Sequence, residues 1–392
     1  MAAPMRSLPV LLFALSCAFL FYVIVAYPLL LKVLASLLNK PIRKDDILPS
    51  VAVVIPVRNG AQYVRRKLDS VLRLTYPPAL IEVLVISDGS TDNTDALVSE
   101  YADRGVRLLR VPAGGKPAAL NAGVPATRHS ILLLTDIRQA LEPESLRNMV
   151  SCFADPNVGV VSGELLIRRG DNFEQTNIGL YWRYESWIRN QLSALDSMLG
   201  ATGPFYAIRR ELMVRIPPET LLDDLYVPLA AFFCGFRLVV EPSARAYDDP
   251  TSLSTEFRRK VRTLAGNYQI MRQYPALLTP RNRMWIHYLS YKLGRLLLPF
   301  ALIAIAITSF DLPFRWMIIA ALSVQAAVYG LAVFDYFDGW LPEQSILKRM
   351  SSVARTFVVM MLAALCALSI FFVSPQKLWT PTKTQPESQP GA

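Results

Sequence analysis

"IEVLVISDGSTDNTD", Ile81 to Asp95, passes in one step from an apolar, β-branched run to three aspartates, a glycine and small hydroxyl or amide side chains. The first half has the composition of a buried strand, and the second half has the chemistry of a turn. Working outward, "VAVVIPV" (51–57), "VRLLRV" (106–111) and "SILLLTD" (130–136) read as further strands. "YVRRKLDSVLRL" (63–74) and "TDALVSEYADR" (94–104) read as amphipathic helices between them. Such alternation predicts a parallel sheet covered by helices, whose ligands bind beyond the carboxyl ends of the strands. Polar loops fall at that end after each of the four strands: 56–60, 87–95, 114–123 and 135–139. Converging on one sheet edge, they form a polar site of nucleotide size.

Composition sets the outer limits. The chain has 392 residues, 53% of them hydrophobic, and the apolar residues collect at its two ends. Leu8 to Leu38 is interrupted by a single lysine, Lys32, and is long enough to cross a hydrocarbon core of roughly 30 Å. The cysteine in "ALSC", Cys17, resembles a lipoprotein cleavage site, but the apolar run continues far past it, so a retained span is expected rather than a cleaved leader. Leu296–Phe310, Phe314–Phe334 and Val353–Val373 are three further expected spans. Lysines and arginines flank these runs, so much of the net charge of +10 belongs to membrane topology. The same bias predicts a cytoplasmic central segment in a multi-pass protein of the inner (plasma) membrane. No nucleic-acid module is recognisable, and nucleic acid is not an expected partner. Four widely spaced cysteines and two histidines exclude a disulfide framework and a histidine-rich metal centre.

Beyond Pro156, Phe173 to Leu195 has helical spacing and is rich in aromatics (Tyr181, Trp182, Tyr184, Trp187), which are expected to pack or to sit at the membrane interface. The expected domains are a first span (1–40), a cytoplasmic α/β domain (45–275), an amphipathic interface segment (276–295), about three spans (296–374) and a polar tail (375–392). Within the α/β domain, Asp88, Asp136 and the pair Asp223-Asp224 supply carboxylates for a general base and for cation ligation, and hard Mg²⁺ or Mn²⁺ suits such oxygens together with phosphate. Lys116 and the arginines would offset phosphate charge.

The ordered set "VVIPVRNG", "VISDGSTDNT", "GGKPAALNAG", "LLTDIRQ", "GATGPFYAIRREL", "LLDDLYVPL" and "EFRRKVRTLAGN" resembles the membrane-bound inverting family 2 glycosyltransferases, the group of cellulose, chitin, hyaluronan and poly-N-acetylglucosamine synthases. The resemblance spans about 50–275 and implies a GT-A fold, a Rossmann-like mixed sheet with helices on both faces. It also implies a nucleotide-sugar donor, expected to be UDP-linked, and a glycan or lipid-linked acceptor. Pro56, Val57, Arg58, Asp88 and Lys116 are implied at the nucleotide, and Asp136 as the first aspartate of the metal motif, with Mg²⁺ or Mn²⁺ as cofactor. Asp224, next to Asp223, is implied as catalytic base, and Gly203, Arg259 and Arg262 at the acceptor and diphosphate.

Three positions depart from the family pattern. Arg138 stands where the metal motif has its second acid, so one metal ligand is missing: either the cation is held by Asp136, phosphate and water, or Arg138 supplies part of the positive charge. Arg259 and Thr263 stand where a glutamine and a sugar-stacking tryptophan are usual, which puts processive synthesis in doubt. A transferase of single sugars to polyprenyl phosphate or glycolipid is therefore the rival enzyme reading. A silent nucleotide-sugar-binding or scaffolding subunit of an export complex is the rival outside catalysis; membrane lipids and partner subunits are the remaining expected contacts.

Overall fold

A computed structural model of the chain describes residues 7–167, 173–249, 252–338 and 345–378, without the side chains of Ser7 and 173–181. Most of the expected polar tail, 379–392, and the Tyr181 side chain lie outside the described residues. The domain is built on an eight-stranded sheet: β1 (Val51–Val57), β2 (Ile81–Asp88), β3 (Val106–Val111), β4 (Ile131–Thr135), β5 (Ala140–Leu141), β6 (Val158–Ile167), β7 (Phe205–Arg209) and β8 (Arg237–Asp248). Their spatial order is β3-β2-β1-β4-β7-β6-β8-β5. The first four strands run parallel, as the alternation of residues predicts. Next, β7 enters antiparallel between β4 and β6, and β5 closes the far edge antiparallel to β8. The sheet is thus mixed, in accord with the expected fold class.

Side chains alternate between the faces of each strand. Ala52, Val54, Leu84, Ile86, Leu132 and Leu134 face one cluster, which includes Ile188 and Leu192 of the helix Phe173–Leu195. Val51, Val53, Ile55, Val83, Val85 and Leu133 face the other, with Val64 and Leu68 of the helix Ala61–Leu72. Burial on both faces is why β1 reads as a continuous apolar run.

Among the described residues, four helices are long and apolar enough to cross a membrane: Leu8–Leu37, Trp285–Asp311, Arg315–Phe337 and Ile346–Phe371. The second begins well before the apolar run at Leu296 because its first turns face the domain. There the Tyr291 hydroxyl and the Arg295 guanidinium both donate to Glu185. Tyr27 and Leu31 of the first helix, and Tyr288 and Tyr291 of the second, belong to the same buried cluster as the sheet.

Asp196 ties the segment that leaves the first of these helices to the segment that leads into the second. Its carboxylate accepts from Lys40 Nζ at 2.8 Å and from Arg283 Nε at 2.7 Å. Arg283 also stacks on the Phe232 ring, 3.8 Å from its centroid, and donates to the Phe232 carbonyl. Removing the carboxylate by Asp196→Ala is expected to cost about 1.5–3 kcal/mol, the usual worth of hydrogen bonds to charged groups. In detergent that appears as a thermal midpoint lowered by about 2–4 °C.

Candidate active site

The loops after β1 and β2 are laced together. Asn59 Oδ1 accepts from the Thr91 backbone N–H at 2.8 Å, the Gly60 N–H donates to Thr94 Oγ1 at 2.9 Å, and the Ala61 N–H donates to Asp92 Oδ2 at 3.1 Å. Burial works against the Asp92 charge, yet hydrogen bonds from the Thr94 hydroxyl and from backbone amides outweigh it and hold its pKa below the ordinary value. Pro56 and Val57 lie within β1, opposite Ile86 and Ser87, and Arg58 is exposed just beyond the strand. Asp88, 3% exposed, turns its carboxylate onto the Gly114 and Gly115 N–H groups at 2.7 and 2.9 Å. Gly115 has φ +83°, a left-handed conformation that suits glycine, and the residue after it is Lys116. Asp88 therefore sets the path of the lysine loop.

Lys116 reaches across the sheet edge. Its ammonium lies 2.9 Å from Asp136 Oδ1 and 3.1 Å from Asp223 Oδ2, joining the loop after β4 to the start of the helix Asp223–Phe233. Burial disfavours this ammonium, but Asp136, Asp223 and Asp224 outweigh that and push its pKa up. Burial likewise opposes ionisation of Asp136, and Lys116 overcomes it, so the Asp136 pKa is lowered. Asp224 behaves in the opposite way. Burial and the neighbouring Asp223 raise its pKa to about 6, against the opposing pull of Lys116 and Arg262. Gly203 lies against it, so that a Cβ at this position would sit 2.8 Å from Asp224 Oδ2.

Arg138 does not extend freely from the motif turn. It pairs with Asp248 at the end of β8, and Gln139 Nε2 donates to the same Oδ2 at 2.9 Å. Beneath the turn, the fully buried Lys67 donates to Thr135 Oγ1 and to the Gln139 carbonyl, both at 2.6 Å. Burial lowers the Lys67 pKa to about 7, with Asp136 opposing the fall. Neither Lys67 nor Asp248 was singled out by sequence reasoning. In "YVRRKLDSVLRL" the lysine looks like one more cation on a solvated face, whereas its register along the helix turns it inward.

The donors at this edge bear on whether a divalent cation fits. Among the described residues no three His, Cys, Asp or Glu side chains gather to hold a metal by protein alone. Asp136, with its side chain 37% exposed, offers hard carboxylate oxygen at the cleft. Mg²⁺ and Mn²⁺ commonly take one or two carboxylates and complete their shell with phosphate oxygens and water. The donor chemistry at this edge suits a cation held in that manner, for which Asp136 is the available carboxylate.

On the helix Leu253–Gln273, the Arg262 charge lies within electrostatic reach of Asp224, Asp136 and Asp223; burial and Arg259 lower its pKa. Arg259 itself packs over the Trp182 ring, 4.7 Å from its centroid, and Lys260 lies 4.9 Å from the same ring. The Thr263 hydroxyl donates to the Arg259 carbonyl at 2.9 Å. The structure thus groups Lys116, Asp136, Asp223, Asp224, Gly203 and Arg262, and places Arg259 toward Trp182.

Comparisons with known proteins agree with the fold that carries these residues. A mannosyltransferase from Pyrobaculum calidifontis, solved in complex with GDP-Man and Mn²⁺, superposes with a TM-score of 0.68 over 92% of this chain and 99% of its own, at 22% identity, and shares the GT-A fold. A probable glycosyltransferase, YdaM, of Bacillus subtilis (strain 168) is 24% identical over 58% of this chain and 58% of its own length. A poly-beta-1,6-N-acetyl-D-glucosamine synthase of Staphylococcus aureus (strain COL) is 22% identical over 60% of this chain and 59% of its own. The matched region spans little more than half the length of these two curated relatives. The profile of glycosyl transferase family 2 matches 52–216, and that of glycosyl transferase family group 2 matches 136–372. With more than half of its residues under the second profile, the chain belongs to the family 2 glycosyltransferases.

Proposed function

We propose that the protein transfers a hexose from a nucleotide-sugar, UDP-linked in the first instance, to a glycan or lipid-linked acceptor, with inversion at the anomeric carbon. In this reading the α/β domain faces the cytoplasm, as the flanking lysines and arginines favour, and the apolar helices cross the inner membrane. The observation that carries the proposal is the Asp224 carboxylate, half-buried beside Asp223 and within reach of two cations, with a pKa raised to about 6. A base poised near the working pH is what deprotonation of an acceptor hydroxyl needs.

The acceptor oxygen attacks the anomeric carbon as its proton passes to Asp224. The bond from that carbon to the diphosphate breaks, and the nucleoside diphosphate departs with the electron pair. Lys116 and Arg262 balance its charge. A divalent cation, when bound at Asp136, supplies further charge neutralisation to the diphosphate. Asp88 and the first loop position the nucleotide in this reading. Because the Pyrobaculum mannosyltransferase was solved with GDP-Man, GDP-sugars form the second donor series to test. Addition of single sugars is the second reading, favoured by Thr263, whose hydroxyl is spent on its own helix.

The test is nucleoside diphosphate release by the protein in lipid nanodiscs with Mg²⁺ or Mn²⁺. Asp224→Asn is expected to lower kcat by about 10²–10⁴-fold, the usual share of a general base. Equal turnover by the variant overturns the assignment. Since the ionised carboxylate is the active form, kcat/KM of the wild type should rise as pH increases through about 6 and level off above it. Gly203→Ala, by displacing the base, is expected to lower kcat about tenfold to a hundredfold while leaving the thermal midpoint nearly unchanged.

A further inference from the structure

Two cations within electrostatic reach of Asp224 have, among the described residues, no carboxylate in ion-pairing contact. Arg189, on the helix Phe173–Leu195, donates through Nη2 to Ser162 Oγ at 3.0 Å and touches the Met198 sulfur at 3.7 Å. Among the described residues no carboxylate lies within ion-pairing distance of it. Its guanidinium is nevertheless within electrostatic reach of Glu185, Asp224 and Glu164. Lys292, in the π-helical turn Tyr288–Leu293, rests 5.5 Å from the Tyr291 ring centroid and reaches Glu185, Arg189 and Asp224 only through space. Two of these three acids already have partners. Glu185 is held by the Tyr291 hydroxyl and Arg295, and Glu164 accepts from the Ser186 hydroxyl at 2.8 Å.

Uncompensated charge in a half-buried place is costly unless a ligand completes it. The Arg189 Nε and Nη1 atoms are not sealed in the protein and, among the described residues, have no partner, so two N–H directions of the guanidinium remain for an anion. Lys292 stands at the head of the second candidate membrane span, and the helix of Arg189 shares a buried cluster with Tyr27 and Leu31 of the first. Both cations therefore lie on the side of the domain that packs against the apolar helices.

We infer that Arg189 and Lys292 form a phosphate subsite for the acceptor, which is a hydroxyl-bearing sugar carried on a lipid through a phosphate or diphosphate. The inference rests on the transferase reading and narrows its acceptor. The two cations hold the phosphate while Asp224 takes the proton from a hydroxyl on the sugar beyond it. A polyprenyl phosphate without a sugar does not suit this geometry, since its nucleophilic oxygen is already ionised and has no use for a base.

The test compares acceptors in nanodiscs of phosphatidylcholine, using the full chain: a polyprenyl diphosphate-linked N-acetylglucosamine, N-acetylglucosaminyl diacylglycerol, and water-soluble N-acetylglucosamine 1-phosphate. The diphosphate-linked lipid is expected to have an acceptor KM at least tenfold below both others. Arg189→Gln and Lys292→Met should each raise that KM at least tenfold and erase the advantage over the neutral glycolipid, with Arg189→Lys restoring part of it. Thermal midpoints and donor affinity by calorimetry are measured for each variant, and Lys292→Met, at a residue not fully buried, keeps the test open if the Arg189 variants misfold. Equal use of the neutral glycolipid, or an unchanged acceptor KM in Lys292→Met, overturns the inference. Equal use of the soluble sugar phosphate overturns the lipid source. Donor binding with transfer to the neutral acceptor alone leaves the transferase reading standing, whereas absence of donor binding removes both.

Discussion

The Lys116 ammonium, shared between Asp136 and Asp223, is the interaction on which the site depends. It ties together three segments distant in sequence: the turn after β3, the end of β4 and the start of the helix Asp223–Phe233. Asp88 holds the backbone that presents the lysine, so a residue in one loop fixes the charge in the next. The pairing also sets the two aspartates apart chemically. Asp136 is kept ionised, while Asp224, one residue beyond the lysine's second partner, is left with a raised pKa. A carboxylate held ionised and one of raised pKa are thereby set on either side of a single cation.

The parallel half of the sheet was legible because strands buried on both faces leave uninterrupted apolar runs. The other half was not, for local reasons. In β8, Glu241 pairs with Gly163 and Arg245 with Glu164, so 242–244 loop out around Pro242, which has no N–H to donate. "RLVVEPSARAYD" therefore lacks a strand's period. In β6, Gly163 lies under the Phe205 ring, where a Cβ would come within 2.0 Å, so a packing requirement reads in the sequence as a break.

The site was legible where motif order carries chemistry and hidden where pairing does. Asp136, Asp223, Asp224 and Lys116 were expected together and are together. Arg138 was read as a lost ligand, but its partner, Asp248, is more than a hundred residues away and becomes adjacent only when β8 pairs with β5. Lys67 and Arg189 escaped for the same reason. A buried cation and a solvated one look alike in a helix until the faces are assigned.

The cluster that unites one face of the sheet with Tyr27, Leu31, Tyr288 and Tyr291 has a consequence for how the molecule can be divided. An anchor joined to an enzyme by a tether can be cut away, but here the apolar helices finish the interior of the catalytic layer. A version trimmed of them for solubility would present a wet, aromatic seam directly behind the strands that carry the aspartates. For helices of membrane-spanning length, that packing makes a direct route from whatever surrounds them to the sheet edge.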